Sequence, residues 1–423
     1  MKIKGLRWWI ISLIGIATII NYIDRSAINI MWPYIYKDFG ISDADNKNAL
    51  ALMTSFFMIA YALGQTVFGK LMDSIGTKIG MALSIGFWSI SIALHAIAKT
   101  ISSFNIFRFF LGLSEAGNWP GATKSNAEWF PPKERAIAQG IFGAGASLGS
   151  VISAPIIATL YLAIGWKGTF VGIACLGMLW VIPWLIINKK TPDAHPWITK
   201  EEQDYILENK NNASDESKVF TWRELLKFKT TWSIISSRFF IDPVWWLFVT
   251  WLPTFLKEQF SFDIGQIGAF AWFPYLMAAI GGILGGYYSS GLIKKGASAA
   301  NARIKAITIG CIIMLLALVV IAVILNQLNA MPVVAIGLIS FILFGFQFSI
   351  NNIQTLPSDF FNGKNVGVVS GMGGTAAVLG VLITTWMVPV LTKTSYISFF
   401  VLGAVLVPLA WLSLRYFSKS YLK

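Results

Sequence analysis

Charged side chains interrupt two long apolar stretches of this sequence. Asp24 and Arg25 lie in the first stretch, and Arg108 and Glu115 lie in a later one. On a helix, the seven residues from Arg108 to Glu115 make nearly two turns, so the two share a face about 10 Å apart along the axis. A charge at membrane depth is costly and usually marks a functional site.

These residue types suit the coupled movement of an anion. An arginine can hold a carboxylate through two parallel hydrogen bonds in a cavity of low dielectric constant. A buried carboxylic acid can take up and release a proton, because burial disfavours its charged form and a nearby arginine opposes that effect. Arginine beside a protonatable acid is therefore the minimum equipment for coupled anion uptake. The alternative is static ion pairing between helices, for example of Asp24 with Arg108.

Uncharged polar residues accompany these charges at helical spacing. Asn21 and Arg25 are four residues apart and share a face, with Tyr22 beside them. Asn118 lies about one turn beyond Glu115. These positions could bind the hydroxyl groups of a polar substrate.

A second polar stripe occurs late in the chain. Gln347, Asn351 and either Gln354 or Thr355 follow one another at helical spacing. Amides suit sugar hydroxyls, which need donors and acceptors but no charge. Hydrogen bonding between helices is the alternative. Tyr61 is a similar candidate in the second apolar stretch.

The elements that must position these residues are membrane helices. The 423 residues are 56% hydrophobic and only 13% charged, whereas soluble domains are about a quarter charged. Apolar runs near 20 residues recur along the chain, and their length favours helices over strands. We therefore expect an all-α integral membrane protein in a lipid bilayer.

Several other classes of protein are excluded by composition. The net charge is +13, but the basic residues lie in short loops and form no continuous patch, which argues against nucleic-acid binding. His95 and His195 are isolated, and both cysteines lie in apolar runs, so no metal-ligand spacing occurs. We expect no metal and no cofactor.

The apolar runs predict twelve transmembrane helices in two groups of six. The predicted spans are 8–31, 49–69, 78–98, 101–123, 135–161, 166–188, 229–257, 266–291, 302–326, 331–357, 366–391 and 394–417. A capping box of Thr199 and Glu202 predicts a short amphipathic helix in the polar stretch between the groups. The predicted organisation is an N-terminal six-helix bundle (1–188), a cytoplasmic linker (189–228) and a C-terminal six-helix bundle (229–423).

Lysine and arginine set the predicted orientation. Of the 33 basic residues, most lie on the side of the membrane that holds both termini. By the positive-inside rule, that side is the cytoplasm. The halves also repeat weakly: a shift of 231 residues aligns Glu128 with Asp359 and Gly149 with Gly380. Parallel six-helix halves are a transporter architecture with a central binding site.

The loop between the second and third spans carries the strongest motif. Its spaced residues are Gly69, Asp73, Gly76 and Lys78. The glycines permit a tight turn and close helix approach, and the acid and base can form ion pairs that hold one conformation. With this loop the chain resembles the major facilitator superfamily, whose signature loop has this pattern. That resemblance implies the major facilitator fold of twelve helices.

Two further stretches sharpen the resemblance. Residues 21–25, Asn-Tyr-Ile-Asp-Arg, and 108–116, Arg-Phe-Phe-Leu-Gly-Leu-Ser-Glu-Ala, resemble the anion:cation symporter family. Residues 271–274, Ala-Trp-Phe-Pro, are similar to hexuronate transporters. The resemblance covers essentially the whole chain, and its first-half motifs are the more specific.

The resemblance implies residue roles. Arg25 and Tyr22 would bind the carboxylate and hydroxyls of the substrate, Asp24 and Glu115 would carry protons, and Arg108 would tune Asp24. Protonation of both acids from outside would favour anion binding at Arg25, and inward release would discharge them. The candidates for substrate binding are Tyr22, Arg25, Tyr61, Asn118, Gln347 and Asn351.

The resulting hypothesis is a proton-coupled symporter of a sugar acid, with glucuronate or galacturonate favoured by the resemblance. It would work by alternating access, as a monomer in the bacterial cytoplasmic (inner) membrane. An aldonate, an aldarate or another organic anion, sodium coupling, exchange, and a transporter-derived sensor remain open. An enzyme would need a nucleophile–base pair or a metal cluster at one membrane face, which the sequence lacks.

Overall fold

The fold is built from helices in the part of the chain that the structure describes. This computed structural model describes residues 2–131, 134–211, 220–361 and 364–419. The α-helices are α1 (Leu6–Ile35), α2 (Asn46–Leu94), α3 (Ile101–Glu115), α4 (Asn118–Trp129), α5 (Arg135–Ile187), α6 (Lys200–Asn211), α7 (Trp222–Leu225), α8 (Lys229–Phe260), α9 (Ile264–Phe270), α10 (Phe273–Lys294), α11 (Ala299–Ile324), α12 (Pro332–Phe360), α13 (Lys364–Leu391) and α14 (Ile397–Ser418).

The long helices have the composition of membrane spans. Within the described ranges, nine helical segments are long and apolar enough to cross a bilayer. Large apolar side chains on them lie exposed, such as Leu162 at 67% and Val323 at 73%. Such apolar surfaces are suited to contact with the hydrocarbon of a bilayer. A helix can lie there because it satisfies its own backbone hydrogen bonds.

Two of these segments each contain a pair of spans. The backbone of α2 leaves the helical region at Gly76, with φ 81° and ψ 163°, and that of α5 does so at Gly165, with φ 69° and ψ 175°. At both positions φ is positive, a region in which a residue with an L side chain is strained, so glycine permits the turn. The predicted boundaries between spans lie at these two points.

Two predicted spans are broken. The predicted span 101–123 is α3 followed by α4, separated by Ala116 and Gly117. The predicted span 266–291 is α9 followed by α10. Within the described residues, division of α2 and α5 at their glycines turns the nine candidate segments into eleven, and α3 with α4 lies at the position of the remaining predicted span.

The chain forms two compact units that divide between residues 214 and 215. In the first unit, α1 packs mainly against α5 and α2 against α3; in the second, α10 and α11 pack against α12. The division falls inside the predicted linker 189–228, of which residues 212–219 lie outside the described residues. The helix α6 occupies the position of the predicted surface helix.

Candidate functional site

Helix α1 contributes an arginine and its neighbours to a buried cluster in the first unit. Arg25 is 6% exposed and Asp24 1%. Arg25 Nη2 donates to Asn21 Oδ1 over 3.3 Å, so the predicted shared face is also a contact. The ring of Tyr22 lies 5.2 Å from the guanidinium carbon.

Helix α3 brings Glu115 to the same place. Glu115 is the last residue of α3 and is fully buried. The chain then turns at Gly117, where an added Cβ would lie 2.4 Å from Ser84 Oγ. The Ser84 hydroxyl donates to the carbonyl oxygen of Ser114 over 2.7 Å. The break in the helix therefore depends on close packing against α2, and it fixes the position of the carboxyl group.

Arg25 and Glu115 form the central ion pair of the cluster. Glu115 Oε2 accepts from Arg25 Nε at 3.3 Å and from Nη2 at 3.2 Å. Both contacts use one carboxylate oxygen. Within the described part of the chain, Glu115 Oε1 has no hydrogen-bond partner. Glu115 thus binds the Arg25 guanidinium through one carboxylate oxygen, and its other oxygen makes no hydrogen bond in the described residues.

Aromatic rings from α2 surround the guanidinium. The carbon of the Arg25 guanidinium lies 4.9 Å from the ring centroid of Tyr61 and 5.4 Å from that of Phe57. The Arg108 guanidinium carbon lies 4.7 Å from the same Phe57 ring. Ring faces attract cations, and the attraction is stronger in a desolvated site. Sequence reasoning selected Tyr61 but missed Phe57, which lies one turn before it.

Asp24 and Arg108, the example given above of static ion pairing between helices, are not hydrogen-bonded to each other in the described residues. Within the described residues, neither oxygen of Asp24 has a hydrogen-bond partner, and Arg108 Nε and Nη1 also have none. The electrostatic neighbours of Arg108 are Glu115, Arg25 and His95. Arg108 therefore acts on Glu115 in this structure, and the static Asp24–Arg108 ion pair is absent from the described contacts.

Asn118 contacts α1 through one side of its amide, while its Oδ1 has no hydrogen-bond partner within the described residues. Its side chain is fully buried, and Nδ2 donates to Thr18 Oγ1 over 3.1 Å. The Thr18 hydroxyl donates in turn to the carbonyl oxygen of Ile14 at 2.9 Å. This chain of hydrogen bonds ties the start of α4 to α1.

Gln347 and Asn351 lie in the second unit, on α12. Gln347 is half-buried and Asn351 is exposed. A Cβ added to Gly282 of α10 would lie 2.7 Å from Asn351 Nδ2, so the glycine leaves room for the amide. The adjacent Asn352 is 1% exposed.

Arg238 and Asp242 form a local pair in the second unit. Arg238 Nε donates to Asp242 Oδ2 over 2.9 Å, and Nη2 donates to Oδ1 over 3.3 Å. The two residues are one turn apart on α8. Their spacing allows either a local ion pair or contact with a substrate, and the structure has the local ion pair.

The signature loop is tied to α4 inside the first unit. Lys124 Nζ lies 2.7 Å from Asp73 Oδ1 and donates to the carbonyl oxygen of Met72 over 2.8 Å. Lys78 Nζ donates to the Lys189 carbonyl oxygen over 3.4 Å. Gly76 has the positive φ described above, whereas space for a Cβ is open at Gly69. Sequence reasoning missed Lys124, which lies 51 residues from its partner.

Comparison with known proteins identifies the family. The family model for the Major Facilitator Superfamily matches residues 14–385. The chain belongs to the Major Facilitator Superfamily.

Relatives within the Major Facilitator Superfamily are named as transporters of sugar acids. The chain is 32% identical to the hexuronate transporter of Escherichia coli strain K12 over 409 residues, which cover 96% of this chain and 91% of the relative. It is 33% identical to the galacturonate transporter of Dickeya chrysanthemi over 289 residues, 68% of this chain and 82% of the relative.

A solved structure supports the major facilitator fold. The D-xylose-proton symporter matches with a TM-score of 0.75 at 14% identity, covering 97% of each chain. The protein is therefore an integral membrane transporter of this superfamily and not an enzyme.

Proposed function

We propose that this protein is a proton-coupled symporter of a sugar-acid anion, a hexuronate such as glucuronate or galacturonate, working by alternating access. The observation that carries the proposal is the buried Arg25 guanidinium, held by a single oxygen of Glu115. The names of the two relatives given above support the choice of hexuronates.

Arg25 is the proposed carboxylate-binding residue. Its fork of donors matches a carboxylate bidentately, and the contact with Glu115 occupies one oxygen only. A substrate carboxylate would compete with Glu115 for the same donors. Tyr22, Tyr61 and the amides of Gln347 and Asn351 are the proposed partners of the sugar hydroxyls, because hydroxyls need both donors and acceptors.

Proton coupling follows from charge balance in the cluster. A further anion in a buried, low-dielectric site adds a charge that must be compensated. Asp24 and Glu115 are the acids that could supply that compensation, and Arg108 is the second cation nearby. They are the proposed coupling residues.

The proposed setting is the bacterial inner membrane. Both termini would be cytoplasmic, with six-helix bundles at 1–188 and 229–423 joined by the linker 189–228, and the carrier would act as a monomer. In this scheme the loop with Gly69, Asp73, Gly76 and Lys78 holds one conformation through its ion pair with Lys124.

Uptake of labelled glucuronate into proteoliposomes tests the proposal. An inward proton gradient should drive accumulation, and a sodium gradient alone should not. Galacturonate should compete, and a panel of aldonates and aldarates should compete more weakly. Failure of every sugar acid to be accumulated or exchanged would overturn the proposed function.

Arg25 variants test the site itself. Arg25→Gln should abolish uptake, and Arg25→Lys should raise KM about tenfold or more, because a lysine loses bidentate geometry. Arg238→Lys is the matched control, since it changes another arginine inside a membrane helix that pairs locally. An equal rise in KM for Arg25→Lys and Arg238→Lys would contradict the assignment of Arg25 as the carboxylate-binding residue.

A further inference from the structure

A cavity of about 480 Å³ lies between α2 and α4 in the first unit. Its polar lining residues are Gln65, Asp73, Thr123 and Lys124, and Trp119 forms part of its wall. Pockets that bind small organic ligands have volumes of about 300–1,000 Å³ and combine an apolar wall with a few polar groups. The cavity therefore has the size and the kind of lining that a single sugar acid needs.

The cavity continues from the Arg25 cluster along one face of α2. The ring centroid of Tyr61 lies 4.9 Å from the Arg25 guanidinium carbon. Gln65, Gly69 and Asp73 follow Tyr61 at intervals of four residues, and residues four apart share a helix face and lie about 6 Å apart along the axis. The cavity therefore begins about one turn of α2 beyond the Arg25 site and extends to the signature loop, on the predicted cytoplasmic side.

The polar lining indicates that this cavity contains water and does not open onto lipid. The side chains of Gln65 and Thr123 are exposed, and Asp73 and Lys124 carry charges. Charged side chains on membrane helices face the protein interior or a water-filled cavity, because their exposure to hydrocarbon is costly. The polar atoms of Gln65 and Thr123 are thus accessible to a ligand in the cavity.

Lys124 supplies the positive charge of the cavity. Its Nζ lies 2.7 Å from Asp73 Oδ1 and donates to the Met72 carbonyl oxygen over 2.8 Å. The Asp73 side chain is 78% exposed, whereas that of Lys124 is 27% exposed. An ion pair with a carboxylate so exposed contributes little to stability. A substrate carboxylate can therefore take the place of Asp73 on Lys124.

Trp119 supplies an apolar surface with a fixed position. Its ring contacts the fully buried ring of Phe142 edge-on, at 5.4 Å between centroids and 66° between planes. A sugar ring has a face of C–H groups that can pack against an aromatic ring. The amide of Gln65 and the hydroxyl of Thr123 offer the donors and acceptors that sugar hydroxyls need. The cavity thus matches each part of a sugar acid.

We propose that this α2–α4 cavity is a second binding site for the sugar-acid substrate, which occupies it after leaving Arg25 and places its carboxylate on Lys124. This inference rests on the proposed function. An anion that leaves Arg25 loses the cation that balanced its charge in a medium of low dielectric constant, and Lys124 restores that balance. Occupation of the site also links substrate release to the signature loop, because the carboxylate displaces Asp73.

Protection of a cysteine from alkylation measures occupancy of the second site. Ala127 lines the cavity and has no polar side chain, so Ala127→Cys is the reporter, in a protein whose Cys175 and Cys311 are replaced by alanine. The rate of labelling by a small methanethiosulfonate reagent is measured on purified protein with and without glucuronate. Ser74→Cys is the matched control, since Ser74 is exposed on the signature loop but does not line the cavity.

Arg25→Gln is the decisive background, because it removes the carboxylate-binding residue of the first site. In this background glucuronate should slow the labelling of Ala127→Cys about fivefold or more at concentrations well above its Kd. Glucose, which has no carboxylate, should not slow it, and the labelling of Ser74→Cys should not change. Loss of protection in Arg25→Gln would overturn the inference. Equal slowing at the two cysteines would also overturn it, since a change of conformation would explain the result.

Two substitutions at the ion pair should act in opposite directions on this protection. Lys124→Gln removes the cation and should abolish protection, and Lys124→Arg should restore it. Asp73→Asn removes the competing carboxylate and should lower the half-protecting glucuronate concentration several-fold. If the pair served only to hold the loop, Lys124→Gln and Asp73→Asn would have the same effect, since each breaks it. Equal effects of these two variants would therefore contradict the second site.

Arg25→Lys covers the case in which Arg25→Gln does not fold. The KM for glucuronate uptake should rise in Arg25→Lys, whereas the half-protecting concentration at Ala127→Cys should stay at its value with arginine. A parallel rise in both quantities would show that one site controls both, and would overturn the inference.

Uptake by the wild type separates this inference from the proposed function. A wild type that accumulates glucuronate, with no carboxylate-dependent protection in Arg25→Gln, retains the proposed function and loses the second site. A wild type that neither accumulates nor exchanges any sugar acid would overturn the proposed function, whatever the labelling result.

Discussion

Arg7 and Glu202, which are 195 residues apart in the chain, form an ion pair of 2.8 Å at the start of α1. The same carboxylate accepts hydrogen bonds from the backbone N–H groups of Gly5, Leu6 and Arg7 at 2.9, 3.0 and 3.3 Å. The first N–H groups of a helix have no partner within the helix, and a negative charge there also interacts favourably with the helix dipole. Glu202 therefore caps the helix that carries Arg25.

Loss of this cap should destabilise the first unit. Glu202→Ala leaves three backbone donors without their acceptor and leaves Arg7 paired with Glu134 alone, and we expect a loss of about 1–2 kcal/mol in stability. Glu202→Gln keeps an acceptor and should lose less. Thermal unfolding of the purified protein measures both. Glu201→Ala, on the exposed side of α6, is the control, and an equal fall in melting temperature for Glu201→Ala and Glu202→Ala would contradict the capping role.

A histidine in the following segment should make stability depend on pH. His195 Nε2 lies 2.9 Å from the Ile187 carbonyl oxygen, and Nδ1 accepts from the Trp197 N–H over 3.2 Å, so this arrangement needs the neutral ring. Burial, assisted by the charge of Lys189, lowers the pKa of His195. The unfolded chain then binds the proton more tightly, so the stabilisation is complete above the ordinary pKa of about 6.5 and falls as the pH drops below it.

His195→Gln isolates that contribution. Melting temperatures are compared at pH 7.5 and 5.5 for the wild type and the variant. The melting temperature of the wild type should fall more on acidification than that of the variant. The difference between these two decreases is the contribution of His195. An equal fall in both proteins would show that other groups cause the pH dependence.

The sequence predicted the composition of the site better than its contacts. Helical spacing correctly placed Asn21 with Arg25 and brought attention to Glu115, because charges in apolar helices are conspicuous. Phe57 was missed because a phenylalanine in a membrane helix has no feature that separates it from lipid-facing residues. Helical spacing also placed Glu115 on the same face as Arg108, but it missed the approach of Arg108 to Phe57 and His95, since periodicity gives the face of one helix and not its rotation against the next.

The helix boundaries show a similar limit. Gly76 and Gly165 lie where polar or small residues interrupt the apolar pattern, so these turns were predictable. The break at Gly117 was not, because it depends on the packing of that glycine against Ser84 of another helix. Local sequence carries no record of such a contact.

Asn118 provides a prediction that opposes its expected role. Because its amide donates to Thr18 and is fully buried, Asn118→Ala should lower stability by about 1–3 kcal/mol through unsatisfied polar groups. The KM for glucuronate should stay within about twofold in the variant that folds. Thr18→Val, which removes the other partner, should have the same effect. A large rise in KM for Asn118→Ala with unchanged melting temperature would restore a direct role in substrate binding.

The adjacent residues Asn351 and Asn352 give a matched pair of variants in the second unit. Asn352 Nδ2 donates to the Phe348 carbonyl oxygen over 2.9 Å, and Oδ1 accepts from Arg303 Nη1 over 3.4 Å. The Asn351 side chain is exposed, and its amide lies beside Gly282.

If Asn351 binds a sugar hydroxyl, Asn351→Ala should raise KM for glucuronate about three- to tenfold, which corresponds to the loss of one hydrogen bond of about 1 kcal/mol. The melting temperature should change little. Asn352→Ala should do the opposite, lowering the melting temperature because Arg303 and a buried backbone carbonyl lose a partner. Uptake kinetics and thermal unfolding on the same preparations separate the two effects, and a stability loss in Asn351→Ala equal to that of Asn352→Ala would assign both asparagines to helix packing.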